Sequence, residues 1–135
     1  NKIKEALEFY GKNLGLTFQI ADDALDYNSE LKLFGKEIGN DFYEGKITLP
    51  IILLYQKANS NEKQKIKYFF EKKERSENEL KKVLSMIKKY NIIFDCYEKA
   101  KHFINLASNS LSIFHESKEK NIFQNLTSFS LERTF

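Results

Sequence analysis

Three carboxylates and one amide stand in a run that otherwise reads as a buried helix, Phe18-Gln19-Ile20-Ala21-Asp22-Asp23-Ala24-Leu25-Asp26-Tyr27. In helical phase Phe18, Ala21 and Leu25 form one apolar stripe, and Gln19, Asp22, Asp23 and Asp26 form a polar stripe beside it. Aspartate is a poor helix-interior residue, because its short side chain competes for backbone hydrogen bonds. Three aspartates so close repel one another unless a cation intervenes. A hard divalent ion such as Mg2+ removes that conflict: it takes a few carboxylates, keeps several waters and shares its remaining positions with a phosphate. The plain alternative is a solvated acidic helix face.

The following stretch shifts the balance towards a ligand. Residues 28–46 hold three of the five glycines, Gly35, Gly39 and Gly45, with Lys36, Asp41 and Lys46 spaced among them. Glycines at such spacing suit a loop that brings backbone N–H groups and lysines close to an anion; taken alone, an ordinary polar surface loop would explain it as well. A carboxylate–Mg2+–phosphate bridge backed by lysines is a general way to hold a diphosphate. If the diphosphate is a leaving group, the same charges stabilise the bond-breaking step. That chemistry needs no general base or nucleophilic Ser or Cys, and none is apparent.

The elements that must position these residues all read as helices. Residues 1–27 make one long helix or two joined at Gly11; Gly11 and Gly15 share a face and suit close helix packing, while the charged surroundings exclude a membrane GxxxG role. Thr48 can cap a helix with Pro50 in its first turn. Ile51, Ile52, Leu53 and Leu54 are apolar all round, which predicts burial. Residues 61–73 form a lysine-rich surface helix with Ile66, Phe69 and Phe70 as its contacts. Ser76 and Glu79 make a capping box, followed by Leu80, Val83, Leu84 and Ile87 on one face, ending near Tyr90-Asn91. From Ile93, the series Tyr97, Ala100, Ile104, Ala107 and Leu111 predicts a second long amphipathic helix, in which Ala100, Ala107, Ser108 and Ser110 permit close contact. A last helix over about 117–131 presents Ile122, Leu126 and Phe129 on one face. His102 and His115 lack the partners of a zinc site and read as surface or structural residues. No alternating strand pattern survives, so the fold class is all-α, about six helices in a single unit over 1–135.

Composition fits this. The 135 residues are 41% hydrophobic and 30% charged, enough for one folded domain. One proline and five glycines argue against a turn-rich β-protein. A net charge of +3, from 22 basic and 19 acidic residues, gives no footprint for nucleic acid. The single cysteine, Cys96, excludes a disulfide framework within the chain and fits a reducing, cytoplasmic setting. No apolar run reaches transmembrane length. The chain opens without Met on residues that already read as helix, which suggests a piece of a longer protein.

With these pieces in place, the chain resembles the trans-type polyprenyl diphosphate synthases, most closely the long-chain bacterial, octaprenyl-type branch. The residues that carry the resemblance are 18–27, then Phe34-Gly35-Lys36-Glu37-Ile38-Gly39-Asn40-Asp41, then Glu44-Gly45-Lys46-Ile47-Thr48-Leu49-Pro50. These look like the family's second aspartate-rich motif and the loop after it. Tyr10-Gly11, Leu14-Gly15-Leu16 and the closing Ser130-Leu131-Glu132-Arg133 also fit. The resemblance implies a helical bundle around a deep cavity, usually a homodimer. It implies Mg2+-assisted loss of diphosphate from an allylic diphosphate, attack of isopentenyl diphosphate on the allylic cation, and loss of a proton. By position, Asp22 and Asp26 resemble the metal-binding carboxylates with Asp23 alongside. Gln19 resembles the amide near the allylic tail and diphosphate. Lys36 and Lys46 resemble the lysines that contact the allylic diphosphate.

The family's first aspartate-rich motif and its Gly-Gly-Lys-Arg-type site for isopentenyl diphosphate lie upstream of the matched region and do not occur in these residues. The resemblance therefore implies the C-terminal half of such an enzyme, inactive on its own. Other readings are a non-catalytic or regulatory subunit completing a partner synthase, a structural helical module with a chance acidic face, and a terpene cyclase, which the Gly-Lys loop fits less well than chain elongation. Product length is not carried by these residues.

Overall fold

The computed structural model describes residues 1–30, 35 and 37–132. Seven α-helices occur among them: α1 Lys2–Leu25, α2 Asn40–Tyr43, α3 Leu49–Lys57, α4 Ser60–Glu71, α5 Glu77–Lys89, α6 Ile92–Ser110 and α7 Lys118–Glu132. No strand appears among the described residues, so the all-α expectation holds. The chain divides into two compact units, Asn1–Asp22 with Tyr97–Phe135, and Asp23–Cys96.

In the first unit, α1 runs without a break through Gly11. Tyr10 and Leu14 of α1 meet Ile104 and Ala107 of α6 and Leu111 of the 3-10 turn after it, with Phe18, Phe114 and Leu131 packed around them. Ala100 and Ala107 are fully buried, as their size suggested, and Ala100 is approached so closely that the Thr17 hydroxyl donates to its carbonyl as well as to Asn13 O (3.4 and 3.0 Å). The Tyr10 hydroxyl donates to Phe123 O at 2.7 Å, and the two rings meet edge to face.

Two expectations for this unit fail. Gly11 and Gly15 are exposed, and a Cβ at either would meet nothing within 4 Å, so neither serves close packing among the described residues. Helix α7 turns its apolar stripe outward: Ile122 is 64% and Phe129 59% exposed, and Leu126 is exposed too, while Lys120, Thr127 and Ser130 are buried. The inward polar groups cost little because all are satisfied. Thr127 and Ser130 donate to Gln124 O and Leu126 O, and the Lys120 amine to Phe114 O and Glu116.

The second unit stacks α2 to α5 around Phe42, Leu54, Ile66, Phe69, Val83 and Ile87, all buried. Both α4 and α5 start with a complete capping box, Asn59/Glu62 and Ser76/Glu79; the second was expected. Thr48 does occupy the N-cap of α3, with Pro50 in the first turn, but its hydroxyl makes no cap bond and has no partner among the described residues. The helix is buried on one side only, through Pro50, Ile51 and Leu54, while Ile52 is exposed. Glu62 is the hub of a polar cluster: Asn59 N–H, the Lys89 amine (3.0 Å) and the Tyr90 hydroxyl all donate to it. Close by, Lys57 pairs with Asp95 at 2.5 Å.

Candidate functional site

Helix α1 stops at Leu25, and the chain turns through Tyr27 N–H to Ala24 O and Asn28 N–H to Leu25 O. Asp26 therefore stands one residue past the helix end, in the turn that closes it. Its carbonyl accepts from Gly39 N–H at 2.8 Å. Its carboxylate accepts from Asn40 N–H (3.1 Å) and Asp41 N–H (2.7 Å), one to each oxygen. These are the first N–H groups of α2, whose own N-cap, Gly39, offers no side chain. Asp26 thus caps a four-residue helix from fourteen residues away.

That capping brings the turn against the end of α1. Gly39 sits at φ +89°, and a Cβ there would lie 2.4 Å from a Leu80 methyl, so both conformation and space demand glycine. Gly45 closes the turn at φ +73°, with its N–H on Phe42 O and the next N–H, of Lys46, on Asp41 O. The Lys46 amine lies 3.6 Å from Glu44 and 4.0 Å from Asp41, and its side chain is mostly exposed. Burial, then the charges of Asp26 and Asp23, hold the Asp41 carboxyl above its ordinary range, with Lys46 acting in the opposite sense. The neighbouring Tyr27 phenol is pushed up strongly by burial and by Asp26, Asp41 and Asp23, with Arg75 opposing. It is 1% exposed, and its oxygen has no hydrogen-bond partner among the described residues.

Of the residues picked from the sequence, Asp23, Asp26 and Lys46 lie in this second unit. Gln19 and Asp22 lie on the stretch of α1 that belongs to the first unit, and both are exposed. Lys36 and Phe34 of the loop, and Arg133 near the C-terminus, lie outside the described residues. Sequence reasoning noted Asp41 without giving it a role, and it missed Tyr27 and Arg75. A signal for Arg75 existed: only two of the 22 basic residues are arginine, the residue whose planar fork satisfies several acceptors at once.

Among the described residues no three His, Cys, Asp or Glu side chains converge into a ready cage for an ion. The donors present are carboxylate oxygens; burial first, then the charges of Asp26 and Asp23, raises the Asp41 carboxyl. That set fits a hard cation needing one or two protein carboxylates and completed by water and phosphate, and it does not fit a softer metal.

The described residues form an all-α protein in which a long helix ending in acidic groups is followed by a glycine-lysine turn. Comparison with known proteins names the family: residues 1–87 match the model of the polyprenyl synthetases, and the chain belongs to that family. Over 132 residues it is 30% identical to octaprenyl diphosphate synthase of Haemophilus influenzae, covering 98% of this chain and 40% of that one. Over 130 residues it is 32% identical to the all-trans-nonaprenyl-diphosphate synthase of Rhodobacter capsulatus, covering 96% and 39%. Among solved structures, the polyprenyl synthase of Roseobacter denitrificans superposes with a TM-score of 0.87 at 28% identity, over 98% of this chain and 43% of that one. The polyprenyl synthase of Caulobacter crescentus, complexed with calcium and isoprenyl diphosphate, gives 0.86 at 31%, over 97% and 40%. The chain spans about 40% of the length of these relatives. No helix among the described residues is long and apolar enough to cross a membrane.

Proposed function

We propose that this chain supplies the second aspartate-rich half of the diphosphate site of a prenyltransferase that extends an allylic diphosphate with isopentenyl diphosphate to a long-chain product. In this reading Asp22 and Asp26, with Asp23 alongside, are the carboxylates for Mg2+; Asp26 retains a lone pair on each oxygen beyond its two backbone bonds. Bound there, the ion would supply positive charge to the departing diphosphate. Lys46, and Lys36 by its place in the motif, bring further positive charge to the same group. Gln19 orients the substrate near the diphosphate. The whole enzyme, working as a homodimer, would need an opposing wall for the acceptor.

The observation that supports this reading is the capping of the Gly39–Lys46 turn by Asp26, a turn that itself carries Asp41 and Lys46. Titration calorimetry with inorganic pyrophosphate tests it. Binding should require Mg2+, and Asp22→Ala, Asp23→Ala and Lys46→Met should each weaken it about tenfold or more, as expected for removing one charged contact. Binding that ignores both Mg2+ and these substitutions would instead favour a structural helical module.

A further inference from the structure

The link between α4 and α5 carries Arg75, which no motif claims. Its Nη1 donates to Phe69 O (3.1 Å) and Lys72 O (2.7 Å), carbonyls left open at the end of α4. Its Nη2 donates to Lys73 O (3.3 Å) and reaches Tyr43 O, the last residue of α2, at 3.4 Å. A Cβ at Gly45 would lie 2.8 Å from Nη2, 3.1 Å from Cζ and 3.4 Å from Nη1. The guanidinium therefore rests against the bare face of that glycine, and any side chain there would displace it. Gly45 is thus glycine for two reasons, its positive φ and the arginine lying on it. The next residue is Lys46.

We infer that Arg75 is a positioning residue for Lys46. The turn is held at both ends. Asp26 takes the N–H groups at its front, and Arg75 takes a carbonyl at its back while filling the space beside Gly45. The lysine stem leaves a backbone with little freedom, so its amine samples a narrower region than on an unanchored loop. A lysine at 75 would not substitute, because one ammonium cannot bond the α4 carbonyls and span to Tyr43 together. What Lys46 contacts rests on the diphosphate reading above; that Arg75 fixes the turn does not.

The test uses the full chain with Arg75→Met and Arg75→Lys. Amide hydrogen exchange is read at Gly45 and Lys46, whose N–H groups bond Phe42 O and Asp41 O. Both amides should exchange about tenfold faster in either variant, as for a lost charged hydrogen bond, with amides in mid-α5 unchanged. Unchanged protection at the two amides overturns the inference. If Arg75→Met fails to fold because α4 has lost its terminal partner, Arg75→Lys, which keeps a donor for those carbonyls, decides alone. Calorimetry with Mg2+ and pyrophosphate adds a second readout. Arg75→Lys should weaken binding several-fold, and this loss should vanish in a Lys46→Met background. An equal loss in both backgrounds, or none where Lys46→Met has one, also overturns the inference. If the unsubstituted chain shows no pyrophosphate affinity, the diphosphate reading fails, and the exchange rates still decide the role of Arg75.

Discussion

Asp26 shows how one side chain can hold a backbone turn and act on a neighbouring carboxyl at once. Each of its oxygens accepts a backbone N–H, and its negative charge helps to keep Asp41 above its ordinary range. These roles separate under substitution. Asp26→Ala removes both acceptors and should cost about 1–2 kcal/mol, the range for losing a cap, mostly through the part-buried Asp41 N–H. Asp26→Asn keeps one acceptor and should cost less. Either variant removes a like charge, so the Asp41 carboxyl should titrate lower than in the parent chain. Urea midpoints and a carboxyl NMR titration read the two effects. An Asp41 titration that stays in place would remove Asp26 as a cause of its shift. The sequence placed Asp26 in a metal-binding stripe because its spacing from Gln19 is helical. The backbone partners of Asp26 lie fourteen and fifteen residues on, beyond any local pattern, so its capping role was not legible there.

At the scale of elements, legibility follows how local the cause is. The capping box at Ser76/Glu79 was readable because both partners lie within one turn, and α5 and α6 were readable because their buried faces repeat at helical spacing. The face of α7 was not: which side turns inward depends on what it packs against, and its hydroxyls meet their bonding needs within their own helix. The second capping box, Asn59/Glu62, extends to a tertiary contact. There the Tyr90 hydroxyl first, then the Asn59 backbone, lowers the Glu62 carboxyl to about 2. A folded-state value below the ordinary one of 4.5 contributes stability that is present above that value and is lost as pH falls towards 2. The thermal midpoint should therefore fall through this window. Tyr90→Phe removes the largest cause, so the drop between pH 5 and pH 2.5 should be smaller than in the parent chain. An equal drop in both would show that other carboxylates govern the acid limb. Cys96 acts at the other end: burial first, then Asp95 and Asp23, pushes its thiol from 9.0 up to about 12, so across that alkaline window the unfolded chain loses this proton before the folded one and stability falls.

At the scale of the whole molecule, the outward stripe of α7 has consequences for solution behaviour. Ile122, Leu126 and Phe129 lie on one helix face and are 64%, 38% and 59% exposed, with Phe123 exposed beside them. Contiguous apolar surface of this kind favours association. Its strength can be bounded. Completing the burial of three half-exposed side chains gains roughly 1 kcal/mol each, or about 6 kcal/mol for two copies face to face. Association costs about 4–15 kcal/mol before any contact is rewarded. The two are of similar size, so the 135-residue chain should associate weakly and in proportion to concentration, without forming a tight dimer. Sedimentation equilibrium over a wide concentration range should show a rising average mass. The double variant Ile122→Glu, Phe129→Glu should suppress that rise and leave the unfolding midpoint nearly unchanged, because neither side chain is buried in the first unit's core. A fall in midpoint of several degrees would mean that the stripe already packs against the chain itself. A tight dimer at the lowest concentrations, or a monomer at the highest, would contradict the energy balance.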